Sequence, residues 1–115
     1  YKKIIGGKWV WNKTFHPPQG LVEISAINNN EISNKIENFE INDEIYHHLE
    51  LEKTSRPFLK GLTKETNEEQ IIGWTYKFGK GRAVYNALGH DSKSIENENF
   101  IKIIKKSINW LEGRD

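Results

Sequence analysis

Residues 71–88 constrain the fold of this chain more than any other stretch. Ile71-Ile72-Gly73-Trp74-Thr75-Tyr76-Lys77-Phe78 and Arg82 to Leu88 are rich in β-branched and aromatic residues, and they flank Gly79-Lys80-Gly81. Two such segments around a glycine-rich turn predict an antiparallel hairpin, because glycine reaches positive φ without steric cost. The second arm, residues 82–88, is apolar on both sides of its alternation, a pattern expected of a strand buried between layers. Any architecture for the chain has to include this hairpin.

Three further strands are expected. Leu21-Val22-Glu23-Ile24-Ser25-Ala26 alternates in part and is closed by Asn28-Asn29-Asn30. Residues 45–51 are β-prone through Ile45 and Tyr46, and residues 57–62 begin with Pro57, where a missing N–H does least harm. One helix is complete: Phe100, Ile103, Ile104, Ile108 and Leu111 fall on one face, with Asn97 as N-cap and Gly113 as stop. Tyr1-Lys2-Lys3-Ile4-Ile5-Gly6-Gly7 reads as the last turn of a helix with its glycine stop and no beginning. Five strands and one complete helix cannot cover both faces of a sheet, so residues 1–115 are expected to be one partial domain whose N-terminal part lies outside this sequence.

Composition removes several function classes. The net charge is only +1 and lysine is dispersed, so charge gives no support to nucleic-acid or anionic-membrane binding. No apolar run approaches the roughly 20 residues of a membrane span. The chain has no cysteine, which excludes disulfides, thiolate metal sites and a cysteine nucleophile within it, and leaves its compartment undetermined.

Some motifs carry less than they suggest. Gly73 to Lys80 has five residues between its glycines and Gly81 after the lysine, so it is the hairpin rather than a phosphate loop. Asn12-Lys13-Thr14 is a glycosylation triplet without an accompanying secretion signal. Of Trp9, Trp11, Trp74 and Trp110, which could form a sugar-stacking platform, Trp74 lies in a strand and Trp110 one residue off the helix's apolar face, so packing at the core or its margin is expected. His47 and His48 alternate across a strand and are expected at the surface.

Three clusters hold groups able to move protons. Phe15-His16-Pro17-Pro18 stiffens the backbone around an imidazole. Asn42-Asp43-Glu44-Ile45-Tyr46 sets two carboxylates and a phenol at the start of a strand. Gly89-His90-Asp91 follows a strand, where open α/β sheets commonly place ligand groups. Histidine titrates near neutrality, and a neighbouring carboxylate orients it or raises its basicity. Each cluster also has a structural reading: Asp43 capping a turn, His16 bonding a carbonyl, His90 or Asp91 capping the next segment.

At these clusters the chain resembles the C-terminal half to two thirds of the ThuA-like (trehalose utilisation) family, within the class I glutamine amidotransferase-like superfamily. The resemblance runs in order through Ile4-Ile5-Gly6-Gly7 with His16-Pro17, then Asp43-Glu44-Ile45-Tyr46, then Gly81-Arg82-Ala83-Val84-Tyr85 to Leu88-Gly89-His90-Asp91. It ends with Glu98 and Phe100 leading to Ile108-Asn109-Trp110. Asn109 replaces the usual basic residue, and Asn30-Glu31 stands where relatives often carry His-Pro. The superfamily's amidotransferases use a cysteine nucleophile, which this chain lacks.

The resemblance implies an α/β fold, the C-terminal part of a flavodoxin-like three-layer sandwich, with a mixed sheet, an antiparallel hairpin and a C-terminal helix. It implies a carbohydrate-handling enzyme, a hydrolase or lyase, acting on a sugar or keto-sugar. His90 would be the general acid or base, with Glu44 and Asp43 as carboxylate partners. His16, Tyr46 and Asp91 would hold or orient the substrate. His16, Glu44 and His90 could together ligate Zn²⁺, having two imidazoles and one carboxylate. The competing expectation is a non-catalytic sugar-binding or oligomerisation domain, with homo-oligomers among its partners.

Overall fold

A computed structural model describes residues 6–8, 10–14, 20–27, 32, 36–43, 45, 47–64, 66–89 and 95–113. Its elements are β1 (Gly7–Lys8), β2 (Gly20–Ala26), β3 (Phe39–Asp43), β4 (Glu50–Leu51), β5 (Arg56–Thr63), β6 (Glu68–Phe78), β7 (Gly81–Asn86) and α1 (Glu98–Leu111). Five strands form a sheet in the order β3-β2-β5-β6-β7, while β1 and β4 pair separately.

The expected hairpin is β6–β7: Phe78 pairs with Gly81, and Gly79 takes φ +59° in the two-residue loop. Where a mixed sheet was expected, every strand pair among the described residues is antiparallel. The loop lengths favour this, since β5–β6 and β6–β7 are joined by four and two residues and a parallel crossover needs a dozen or more.

Paired residues share a face, and the two faces of the sheet differ sharply. On one face, Val22 lies opposite Ile41 and Thr63, and Ile24 lies opposite Gly61; Val22, Ile24 and Ile41 are buried. They join Phe58, Leu59, Ile72, Leu88, Ile103 and Trp110 in one apolar cluster. The other face sets Glu23 opposite both Glu40 and Leu62, and Leu62 opposite Glu69. Like charges at Glu23 and Glu40 repel, and Lys64 lies 3.9 Å and 3.2 Å from their carboxylates. Lys60 pairs with Glu69 at 3.3 Å. These exposed pairs each contribute about 0–1 kcal/mol, so they mark a solvated face rather than hold the fold together.

Strand β7 departs from expectation. It is the edge strand of the described sheet, and each of its residues is exposed or half-buried rather than enclosed on both sides. Its apolar residues divide between two neighbours: Val84 packs on the core, and Tyr85 stacks on Trp74 at 4.2 Å between ring centroids. Strand β3 was not anticipated, and Asp43 ends it instead of starting a strand. Among the described residues of the expected strand 45–51, Glu50–Leu51 and a single bridge at His47 are β-structure, and His48 takes φ +60°.

Helix α1 has the expected limits. Asn97 Oδ1 accepts from the backbone N–H groups of Asn99 and Phe100, at 2.9 and 3.2 Å, a cap worth about 1 kcal/mol. Gly113, at φ +77°, donates to the Trp110 carbonyl. The buried side is turned from the expected one. Ile103, Ser107 and Trp110 face the core, whereas Ile104, Ile108 and Leu111 are exposed together with Ile101. Ser107 is tolerated there because its hydroxyl donates to the Ile103 carbonyl at 2.8 Å. Arg82 fixes the helix's C-terminal end from the sheet: its guanidinium donates to the Trp110 carbonyl at 2.6 Å and lies over the indole at 4.9 Å. It supplies the cation that the last turn of α1 lacks.

The expected helical turn at Tyr1 to Ile5 lies outside the described residues. No helix among the described residues is long and apolar enough to cross a membrane.

Candidate functional site

The pairing registers bring one end of the sheet together from distant parts of the sequence. Gly20 pairs with Asp43, Val22 with Thr63, and Thr63 with Glu68. Because Gly73 pairs with Asn86, the chain leaving β7 runs toward this same end. Thus the start of β2, the end of β3, the β5–β6 turn, the start of β6 and the exit of β7 converge there.

Asp43 and Gly89 join two of these segments. Asp43 is 1 % exposed, and its Oδ2 accepts from the backbone N–H of Gly89 at 2.8 Å. The inward alternation of β3, which buries Ile41, also points Asp43 inward. Gly89 is required on two counts. Its φ is +101°, and a Cβ there would come within 3.2 Å of the Phe100 ring. Just before it, Asn86 Oδ1 accepts from the Leu88 N–H at 2.9 Å and shapes the exit from β7.

Among the sequence-derived site residues, Asp43 is described, and His16, Glu44, Tyr46, His90 and Asp91 lie outside the described residues. Glu44 follows Asp43 in sequence and His90 follows Gly89, so the bond joins the chain immediately before each of them. The candidate zinc set of His16, Glu44 and His90 also lies outside. No group of three His, Asp or Glu side chains suited to a metal occurs among the described residues.

Sequence reasoning missed a second cluster at this end. His47 is fully buried, contrary to the surface position expected. Its Nδ1 faces the Ile45 carbonyl at 3.4 Å and its Nε2 the Thr66 hydroxyl at 3.0 Å. A carbonyl can only accept, so the neutral ring carries its proton on Nδ1 and accepts from Thr66 at Nε2. Burial lowers the His47 pKa; the Ile45 carbonyl and the Glu68 charge oppose that shift, and His48 adds to it. The His48 ring stacks parallel to it at 6.3 Å.

His48 opens onto solvent. Its backbone N–H donates to Gln70 Oε1 at 3.0 Å, and its Nε2 lies 3.2 Å from Glu68 Oε2. Gln70 Nε2 donates to the same Glu68 oxygen at 3.2 Å. The turn at residues 11–13 is tied in by Thr14, which takes the Val10 N–H at 2.7 Å and donates to the His48 carbonyl at 2.9 Å. Lys13, His48, Leu49, Glu68, Glu69 and Gln70 line an open cleft of about 500 Å³. The polar stretch of residues 64–69 has the composition of a loop and so concealed this, because β6 already begins at Glu68 and carries Glu68 and Gln70 on the face of Ile72.

Trp74 and Trp110 are buried as expected of packing residues, but Trp11 is 83 % exposed, beside this cleft in sequence. Thr63 Oγ1 and Asn86 Nδ2 are buried without a hydrogen-bond partner among the described residues.

No curated protein matches the chain. The family model described as trehalose utilisation, ThuA, matches residues 1–111, nearly the whole chain. The chain therefore belongs to the ThuA trehalose-utilisation family, whose function is related to carbohydrate use.

Proposed function

We propose that this chain is a carbohydrate-handling enzyme domain that acts on a sugar or keto-sugar by acid–base chemistry at the Asp43–Gly89 end of the sheet. One observation carries the reading: the hydrogen bond from Gly89 N–H to Asp43 Oδ2 joins the segment leading to Glu44 with the segment leading to His90. In this reading His90 is the general acid or base, oriented by Asp91, and Glu44 is its partner. Tyr46 and His16 hold substrate hydroxyls, and Asp43 positions the two segments. Proton removal beside a carbonyl, or protonation of a glycosidic oxygen, needs two such groups with separated pKa values.

Turnover of a keto-disaccharide and of its unoxidised parent by wild type and His90→Ala, with and without chelator, tests this. Turnover of at least one sugar is expected, with a loss of about 10²- to 10⁴-fold in the variant. Unchanged turnover in His90→Ala would reject the mechanism, and loss with chelator would show that a metal is required, with His16, Glu44 and His90 as its candidate ligands.

A second reading, a non-catalytic oligomerisation domain, has its own observation. Ile101, Ile104, Ile108 and Leu111 are all exposed and recur at 3-4-3 spacing, the seam by which helices associate. A dimeric mass by light scattering that falls to a monomer in Ile108→Lys would favour it. The flavodoxin-like three-layer sandwich belongs to the proposal too: a crystal structure with helices on both sheet faces would support it. One leaving Glu23, Lys60 and Glu69 in solvent would replace it by two layers.

A further inference from the structure

We infer that the cleft between the 11–13 turn and the start of β6 is a saccharide-binding subsite, with Trp11 as its stacking platform and Glu68 and Lys13 as its hydroxyl contacts. The sugar class rests on the function proposed above; the existence of the subsite rests on the cleft itself.

The geometry supplies three features that a neutral polyhydroxylated ring uses. The first is an acceptor held in place. Glu68 Oε2 is engaged by His48 and by Gln70, which leaves Oε1 without a donor among the described residues. A carboxylate with one oxygen braced and the other open can accept from a substrate hydroxyl without first losing side-chain freedom. The second is a complementary donor. Lys13 lines the same cleft, and its ammonium makes no ion pair among the described residues.

The third feature is an aromatic surface. Trp11 stands two residues from Lys13 in the same turn and remains 83 % exposed, whereas Trp74 and Trp110 are 1 % and 7 % exposed. An indole presents a flat apolar face to the C–H side of a sugar ring and leaves the hydroxyls to polar neighbours.

The turn that carries Trp11 is fixed. Lys13 and Thr14 N–H groups both donate to the Val10 carbonyl, at 3.1 and 2.8 Å, and the Thr14 hydroxyl anchors the turn to the His48 carbonyl. Asn12 holds φ +67° within it. The turn that carries Trp11 and the braced carboxylate are therefore both tied to His48, one through its carbonyl and the other through its ring. The mixed charge of the lining suits a neutral ligand better than an anion, which Glu68 and Glu69 would repel.

Titration of the full chain with trehalose tests the assignment, with saturation-transfer NMR and tryptophan emission as readouts. Sorbitol serves as an open-chain polyol without a ring face. Trehalose is expected to bind and to perturb the Trp11 signal, with sorbitol at least tenfold weaker. Trp11→Ala and Glu68→Gln are each expected to weaken trehalose binding by about tenfold. Both positions are exposed, and unchanged circular dichroism would establish that the variants are folded.

Trehalose affinity unchanged in both variants, no trehalose binding at all, or equal binding of sorbitol would each overturn the assignment. The outcome separates from that of the catalytic proposal. Intact turnover in His90→Ala with weakened binding in Trp11→Ala would reject the catalytic mechanism and keep the subsite. Turnover lost in His90→Ala with binding unmoved by Trp11→Ala and Glu68→Gln would do the reverse.

Discussion

The two ends of the five-stranded sheet are built on different principles. At the β6–β7 turn end, stability comes from aromatic packing: Trp74 is buried, stacks on Tyr85 and lies against Gly7 of the small sheet, and Tyr76 lies against Gly6 just before it. The turn is a two-residue loop, and the buried polar Thr75 meets the Arg56 carbonyl. At the opposite end, polar groups go inside. Asp43 and His47 are buried, Thr63 Oγ1 and Asn86 Nδ2 have no hydrogen-bond partner among the described residues, and His48, Asn67 and Gly89 take positive φ. Local departures of this kind cost stability and persist where function requires them. One end is a clamp, and the other is where chemistry is to be sought.

The largest expected effect breaks the comparison at the clamp. Trp74→Ala removes the largest fully buried side chain among the described residues and leaves Tyr85 without its stacking partner, and should cost about 3–5 kcal/mol. The measurement is the midpoint of chemical denaturation. At temperatures where the variant stays folded, trehalose binding should change little, because Glu68 and Trp74 lie at different ends of the sheet. A parallel loss of binding would show that the two ends are coupled rather than separate.

Asp43→Ala acts at the other end with a smaller stability cost. It leaves the Gly89 N–H without its carboxylate acceptor, at about 1–3 kcal/mol. Turnover should fall further than stability, chiefly in kcat, if this bond positions the segment leading to His90. Asp43→Asn can still accept from Gly89 and should restore most of the activity. Equal damage from Asn and Ala would mean that the charge, not the tether, is what matters.

The same contrast explains what the sequence disclosed. The hairpin, β2 and the limits of α1 follow from local signals: a glycine turn, partial alternation and an Asn97 cap. The buried side of α1 did not, because two apolar stripes run side by side and Ser107 interrupts the one that faces the core. Strand β3 escaped notice because its alternation, Phe39-Glu40-Ile41-Asn42-Asp43, ends in two poor strand formers. Family resemblance marked Asp43 and the segment after Gly89, but the cleft was illegible, since Lys13, His48 and Glu68 to Gln70 meet only through tertiary pairing.

The smallest effect sharpens the comparison through pH. His47 is buried and its pKa lies below the ordinary value of about 6.5, so the folded chain binds fewer protons there than the unfolded one. Stability from this group is therefore fully present above about pH 6.5 and declines as pH falls below it. Protonation would also put a second donor at Nε2, which now accepts from Thr66, beside the stacked His48 ring. Glu68 attracts that charge and tempers the loss. Thermal midpoints of wild type and His47→Gln, compared between pH 8 and pH 5.5, should show the wild type losing more on acidification. Parallel curves would mean that the buried imidazole is not what makes this end of the sheet sensitive to acid. The aromatic end, which has no histidine among its described residues, should keep its tryptophan packing across the same range.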